Sequence, residues 1–301
     1  MDSRMRRAFG SGLIFAALMG LATLAIPGTP ANHFHFSVLG DRTGGAAPEI
    51  YGRVWREMDL LHPDFIINVG DSIEGNHDTR AEADWEAPRA VWRRYARYPL
   101  YLVAGNHDIW SETSRALFEK QTGRKPFYSF DYEGAHFTVL DNSRTLELGE
   151  DQLRFLAQDL EANRTRAPKF VFFHKPFWIA YLKLGSGEFE LHRLARKYGV
   201  AWVVSGHVHR FARMQRDGVV YLTVGSSGAA ISSRSGREES FRQGLFYHHL
   251  WVTVKDGKAE VTVKELDGAA GQGRMFRAED WENQGPLFDP EDPALRAQPE
   301  T

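Results

Sequence analysis

Short polar motifs follow a series of apolar, β-branched segments along this chain of 301 residues. In order, the motifs are Gly40-Asp41, Gly70-Asp71, Gly105-Asn106-His107-Asp108, His174 and Gly206-His207-Val208-His209. Asp71 lies 30 residues after Asp41, and Asn106 lies 35 residues after Asp71. A strand–helix–strand unit takes about 30 residues, so each of these steps fits one unit. Because ligands gather at the carboxyl ends of strands, we expect the polar side chains to converge on one edge.

Hydrophobic periodicity predicts alternating strands and helices in the first half of the chain and mainly strands in the second. The predicted strands are 35–39, 64–69, 100–104, 127–131, 136–140, 169–173, 200–204, 219–224, 250–254 and 259–264. The predicted helices are 48–62, 79–98, 149–163 and 189–198. This order favours an α/β fold in which two packed mixed β-sheets are flanked by helices, a four-layer αββα sandwich.

Residues 1–31 have the pattern of an export leader. Three arginines precede the uncharged residues 8–26, and Thr29-Pro30-Ala31 offers small side chains for cleavage. We favour a cleaved signal peptide, although the uncharged stretch is also long enough for a membrane anchor. Either alternative predicts a periplasmic or extracellular protein. We expect the main domain at 32–267 and a Gly-, Pro- and acid-rich, poorly ordered or loosely docked tail at 268–301.

The composition narrows the possible chemistry. The chain has no cysteine, which excludes disulfides, zinc–thiolate sites and thiol nucleophiles. Any bound metal must therefore be held by oxygen and imidazole ligands. The formal net charge of -2 provides no basic field, so we expect no nucleic-acid partner. No feature indicates a protein partner.

The strand-end motifs together offer carboxylate, amide and imidazole ligands. This mixture suits zinc, iron or manganese and contains too much nitrogen for calcium or magnesium alone. The number of ligands predicts two metal ions that share a bridging carboxylate. Such a pair, about 3.5–4 Å apart, generates hydroxide and clamps the oxygens of a phosphoryl transfer.

These motifs, between residues 38 and 210, resemble the five ordered motifs of the calcineurin-like phosphoesterase superfamily. The resemblance implies hydrolysis of a small phosphate monoester or diester by metal-bound hydroxide. It implies these metal ligands: Asp41 and His209 for one ion, Asn106, His174 and His207 for the other, and Asp71 for both. His107 would protonate the leaving group or stabilise the transition state, and Asp108 would orient it.

Two positions depart from the superfamily pattern. Most members have a histidine where this chain has Thr43, so the first metal loses an imidazole. Purple acid phosphatases also lack that histidine and supply a tyrosine where this chain has Glu74. Glu74 or a water replaces the missing ligand, or else Glu74 lies outside the ligand shell. The second departure, Arg42, binds a substrate phosphate or pairs with a surface acid.

The sequence Gly-Asn-His-Asp occurs at 75–78 and again at 105–108. We assign the metal ligand to the second copy because a predicted strand precedes it. The first copy is expected to be a loop near the site, from which His77 can touch the substrate. Two alternative functions remain: a catalytically weak protein that binds phosphate ligands through its metals, and a hydrolase of pyrophosphate bonds.

Overall fold

Two six-stranded sheets pack face to face, and helices cover their outer faces. This architecture is seen in a computed structural model, which describes residues 33–184, 188–231, 237–266 and 273–282. It confirms the predicted α/β class with two mixed sheets between helices. The leader predicted at residues 1–31 lies outside the described residues, so it stays a prediction.

The first sheet has the strand order β12-β11-β10-β1-β2-β3. Its strands are β1 His33–Leu39, β2 Phe65–Asn68, β3 Leu100–Leu102, β10 His248–Lys255, β11 Lys258–Glu265 and β12 Met275–Arg277. Strands β1, β2 and β3 are parallel, whereas β10 runs antiparallel to β1. The carboxyl ends of the three parallel strands therefore lie at the same edge.

The second sheet has the order β4-β5-β6-β7-β9-β8. Its strands are β4 Tyr128–Tyr132, β5 Ala135–Val139, β6 Lys169–Phe172, β7 Trp202–Ser205, β8 Ala212–Arg216 and β9 Val219–Thr223. Strands β5, β6, β7 and β9 are parallel. Strands β4 and β5 form the predicted hairpin, in which Glu133 and Gly134 both have positive φ, as a tight hairpin turn requires.

Eight α-helices connect the strands within the described residues. They are α1 Pro48–Leu61, α2 Ala81–Asp84, α3 Glu86–Trp92, α4 Glu112–Thr122, α5 Glu150–Ala162, α6 Trp178–Leu184, α7 Glu190–Tyr198 and α8 Arg237–Arg242. The single helix predicted at 79–98 is instead α2, α3 and a 3-10 turn, Arg93–Tyr95. Pro88 explains the break, because it has no N–H to donate to the carbonyl of Asp84.

The layer between the sheets is rich in phenylalanine. Phe36 stacks on Phe65 with ring centroids 4.9 Å apart, and Phe137 stacks on Phe170 at 5.0 Å. Phe36 also meets Phe137 edge to face at 5.4 Å, which joins the two sheets. Burying each such ring contributes about 1.5–3 kcal/mol. Side chains alternate between the two faces of a strand, so the remaining side chains of the same strands lie on the outer face of each sheet, where the helices pack.

Two edge strands were not predicted from the sequence. The segment β8 has mostly polar side chains, and β12 lies within the predicted tail. Strand β12 pairs antiparallel with β11, and Trp281 just after it is 9% exposed. This part of the expected tail is therefore attached to the sheet rather than loosely docked. Among the described residues, no helix combines the length and apolarity needed to cross a membrane.

Candidate metal centre

The strand ends of the two sheets meet at one rim. Asp41 follows β1 and forms a parallel bridge with Ser226, which follows β9 of the other sheet. The Asp41 N–H donates to the carbonyl of Gly225 at 3.1 Å, and the Arg42 N–H donates to the carbonyl of Asp71 at 3.1 Å. These backbone bonds hold the loops after β1, β2 and β9 against one another. The predicted convergence of strand ends on one edge is thus observed.

Two groups of candidate metal ligands share one carboxylate at this rim. Asp41, Asp71 and His209 form the first group, with one ligand atom from each within 4.8 Å of the others. Asp71, His174 and His207 form the second group by the same measure. Asp41 is 0% exposed and Asp71 is 2% exposed. The structure therefore brings together five of the six predicted metal ligands, and Asp71 belongs to both groups.

Two of the imidazoles are oriented by backbone carbonyls. The Nδ1–H of His174 donates to the carbonyl of Val69 at 2.8 Å, and that of His209 donates to the carbonyl of Ala230 at 2.9 Å. Since a carbonyl only accepts, the neutral form of each ring carries its free lone pair on Nε2. The Nε2 atoms lie 3.2 Å from Asp71 Oδ2 for His174 and 3.3 Å from Asp41 Oδ2 for His209. Metal-binding histidines are commonly fixed in this way.

Three buried acceptor atoms in the rim have no hydrogen-bond partner among the described residues. They are Asp41 Oδ1, Asn106 Oδ1 and His174 Nε2. Buried acceptors without donors are costly, and a bound cation would satisfy them. Asn106, the sixth predicted ligand, thus offers a free amide oxygen. The donor set of oxygen and imidazole nitrogen fits zinc, iron or manganese.

The electrostatics of the rim also favour positive charge. Burial raises the pKa of Asp41 well above its ordinary value, and the neighbouring Asp71 adds to this effect. Burial disfavours a charged His174, but the adjacent Asp71 carboxylate raises its pKa to about 9. His174 and His107 in turn hold the pKa of Asp71 below its ordinary value despite burial. Two carboxylates buried together therefore require cations or protons beside them.

Backbone strain is concentrated at the same residues. Asp71, His207 and His209 have φ values of 54°, 74° and 48°, in the left-handed region that side chains with a Cβ disfavour. Each such residue costs about 1–3 kcal/mol and tends to occur at functional sites. Three candidate ligands at the rim thus have strained backbone conformations.

Two glycines of the motifs leave room for carboxylates from another strand end. A Cβ on Gly105 would lie 2.1 Å from Asp71 Oδ1, and a Cβ on Gly206 would lie 2.4 Å from Asp41 Oδ1. A backbone N–H shortly after each glycine donates to the same carboxylate: the His107 N–H donates to Asp71 Oδ1 at 2.9 Å. The His207 N–H donates to Asp41 Oδ2 at 2.8 Å. Glycine is therefore required for close approach at both positions.

His107 lies at the rim, but Asp108 does not orient its ring as expected. The Nδ1–H of His107 donates to the carbonyl of Glu74 at 2.5 Å, which leaves Nε2 free. Asp108 is fully buried and accepts hydrogen bonds from the backbone N–H groups of Ser72 at 2.8 Å and Gly105 at 2.9 Å. Its carboxylate therefore joins the loops after β2 and β3 rather than bonding the His107 ring.

Glu74 lies outside both ligand groups. Its carboxylate accepts a hydrogen bond from the Ala46 N–H at 3.2 Å. Burial opposes ionisation of Glu74, but contacts with Thr43 and Ala46 lower its pKa. This placement favours the alternative in which Glu74 supports the loop after Thr43 from outside the ligand shell. Thr43 itself is fully buried.

Arg42 does not form the ion pair with a surface acid that was one of its two predicted roles. Its guanidinium donates to the carbonyl of Ser72 at 2.9 Å and lies over the ring of Tyr51, 5.8 Å from the centroid. Among the described residues, no acidic partner lies within ion-pair distance of Arg42. The structure gives Arg42 a role in holding the loops after β1 and β2.

The first Gly-Asn-His-Asp copy packs beside the second. Asn76 Nδ2 lies 3.3 Å from His107 Nδ1, and Asp78 accepts a hydrogen bond from the Ser111 hydroxyl at 2.7 Å. His77 is exposed, belongs to neither ligand group, and accepts backbone hydrogen bonds from Arg80 and Ala81. The copy is thus a loop at the rim, as predicted.

Sequence reasoning missed Asn142, which follows β5. Its Oδ1 accepts from the N–H groups of His174 at 3.2 Å and Lys175 at 3.0 Å. Its Nδ2 donates to the carbonyls of Leu146 at 2.9 Å and Lys175 at 2.8 Å. The signal was available, because Asn142 is another polar residue close to the end of a predicted strand, two positions after residue 140.

Known proteins are similar to this chain in sequence. The sequence model described as calcineurin-like phosphoesterase matches residues 35–211. The chain is 27% identical to Purple acid phosphatase 15 of Arabidopsis thaliana, across 56% of this chain and 41% of that protein. It is 25% identical to Tartrate-resistant acid phosphatase type 5 of Homo sapiens, across 84% of this chain and 91% of that protein. The chain spans less than half the length of the plant relatives it matches.

Two solved structures have a similar fold. A purple acid phosphatase, PPD1, from yellow lupin seeds gives a TM-score of 0.58 at 15% identity, covering 83% of this chain and 54% of that one. A dimetal phosphatase from Danio rerio gives a TM-score of 0.57 at 12% identity, covering 81% and 98%. At these identities the likeness concerns the fold alone.

Proposed function

Because the chain belongs to the calcineurin-like phosphoesterase family, we propose that it is a metal-dependent hydrolase of phosphate esters. The observation that carries this proposal is the pair of ligand groups joined at Asp71. Asp41 and His209 would hold one ion, and Asn106, His174 and His207 would hold the other. Two bound ions would supply an activated water and positive charge for the phosphoryl group.

His107 is suited to act as the general acid. Its Nδ1–H is bonded to the carbonyl of Glu74, so a protonated ring presents Nε2–H to the rim. Hydrolysis releases an alcohol whose oxygen needs a proton, and Nε2 can deliver it as the bond to phosphorus breaks. The ring is partly exposed and can recover its proton from solvent. The His107 N–H also fixes Asp71 Oδ1, which ties the acid to the bridging carboxylate.

The buried Asp108 carboxylate connects the loops after β2 and β3. Asp108 accepts backbone hydrogen bonds from both, and burial together with the nearby Asp71 raises its pKa to about 7. We assign Asp108 a positioning role: it holds the loops that carry Asp71 and His107. A change at Asp108 would then move both groups together.

Metal reconstitution followed by hydrolysis assays tests the proposal. The full chain, loaded with manganese, iron or zinc, is assayed with p-nitrophenyl phosphate and bis(p-nitrophenyl) phosphate. We expect turnover of at least one ester and its loss on chelation. Absence of turnover with every metal, in folded protein that binds metal, would overturn the proposal and favour a binding protein. Export remains a prediction from residues 1–31.

A further inference from the structure

Lys175 is a partly buried cation beside the metal centre. It follows the candidate ligand His174 directly, and the N–H groups of both residues donate to the same Asn142 Oδ1. Burial lowers the pKa of Lys175, and the carboxylates of Asp71 and Asp141 oppose this effect, although neither lies within 4.0 Å of its nitrogen. Among the described residues, its ammonium group has no hydrogen-bond or ion-pair partner. A buried lysine stem normally places its charge where a partner or water can reach it.

The backbone of Lys175 is held firmly from one side. Asn142, which is 1% exposed, accepts from the Lys175 N–H at 3.0 Å and donates to the Lys175 carbonyl at 2.8 Å. The same carboxamide accepts from the N–H of His174 at 3.2 Å. One buried side chain thus fixes the spacing between a candidate metal ligand and the neighbouring cation. Such fixing reduces the entropy lost when Lys175 binds a ligand.

We propose that Lys175, positioned by Asn142, contacts a phosphate oxygen of the substrate and favours phosphate monoesters over diesters. A monoester dianion has one more negative charge than a diester and carries it on an oxygen that a diester blocks with its second organic group. An ammonium group with no other partner gains most from that additional charge. This inference rests on the proposed phosphoesterase function and names the substrate class of the same site.

The test compares the two nitrophenyl esters in variants of the full, metal-loaded chain. Lys175→Met and Lys175→Gln both remove the charge and keep most of the length, whereas Lys175→Arg keeps the charge. Binding of inorganic phosphate is measured by calorimetry in the same samples, which does not depend on turnover. Lys120→Met is the matched control, because that exposed lysine pairs with Glu82 on the surface.

We expect the loss of charge at Lys175 to raise the monoester KM and the dissociation constant of phosphate by about 10- to 100-fold, the range for a hydrogen bond to a charged group. The diester KM should change less than about threefold, and Lys175→Arg should retain most of the monoester preference. Metal content should be unchanged. The Lys120→Met variant should behave as the wild type.

An equal rise in KM for both esters in Lys175→Met would overturn the proposed role of Lys175. An unchanged dissociation constant of phosphate in that variant would overturn it as well. These outcomes are distinct from failure of the proposed function, in which the wild type hydrolyses neither ester. In that case phosphate calorimetry still tests the contact. Weaker phosphate binding by Lys175→Met would support it, and unchanged binding would contradict it.

Discussion

Replacing Gly105 by alanine should damage the metal centre through a single methyl group. The added Cβ would lie 2.1 Å from Asp71 Oδ1 and 2.3 Å from the Asp71 nitrogen. The first distance is about 1.3 Å short of ordinary van der Waals contact. The bridging carboxylate must therefore move, and with it the hydrogen bond from the His107 N–H. A displacement of about 1 Å at a reacting centre costs on the order of 100-fold in rate.

The cost in stability should be smaller than the cost in function. Overpacking a buried site lowers the free energy of unfolding by about 1–3 kcal/mol. The Gly105→Ala protein should therefore fold, hold less than two metals per chain and hydrolyse ester about 100-fold more slowly. Metal content, hydrolysis rate and chemical denaturation are measured on one preparation.

Gly52→Ala is the matched control. Gly52 lies within α1, and a Cβ there would have no neighbour within 4 Å. This variant should keep its metals and rate, and gain up to about 1 kcal/mol in stability from helix propensity. Full metal content and full activity in Gly105→Ala would refute the reasoning, because the methyl group would then not have displaced the Asp71 carboxylate from a functional position.

Three further predictions concern other parts of the chain. His107→Ala should lower kcat by about 100- to 10,000-fold with metal content unchanged, as measured by kinetics and metal analysis; loss of metal instead would make His107 a structural residue. Asn142→Ala should lower the free energy of unfolding, measured by chemical denaturation, by about 2–4 kcal/mol, because four backbone groups lose their hydrogen-bond partner; a change below about 1 kcal/mol would contradict this. Buried His136 bonds Asp159 and Asp131, each at 2.8 Å, and these carboxylates raise its pKa although burial lowers it. Its contribution is full below the unfolded pKa of about 6.5 and is lost as pH rises through the higher folded value. The difference in Tm between wild type and His136→Gln should therefore shrink as pH rises above about 7, and a constant difference would be contrary to this reasoning.

The six candidate ligands could be predicted from the sequence because each follows an apolar strand. That pattern depends on local spacing, which the sequence displays directly. The same signal favours Asn106 over Asn76 as a metal ligand, since β3 precedes only the second copy of the motif. The alternation of strands and helices likewise predicted the layered fold.

The contacts between loops could not be predicted. Asp108 bonds backbone groups of Ser72 and Gly105, and His107 bonds the carbonyl of Glu74; all depend on how separate loops pack. No local sequence pattern predicts the direction of a side chain in the loop after a strand. Edge strands such as β8 were missed for another reason: partly exposed strands need few apolar residues.

The number of metals held by single-ligand variants tests the central claim most directly. The wild type should bind two ions per chain, His209→Ala and His174→Ala should each bind one, and Asp71→Ala should bind fewer than either. This pattern follows from two ligand groups that share Asp71. The measurement is metal analysis of folded, reconstituted protein by mass spectrometry. A wild type with one ion, or histidine variants that both retain two, would contradict a dinuclear centre bridged by Asp71.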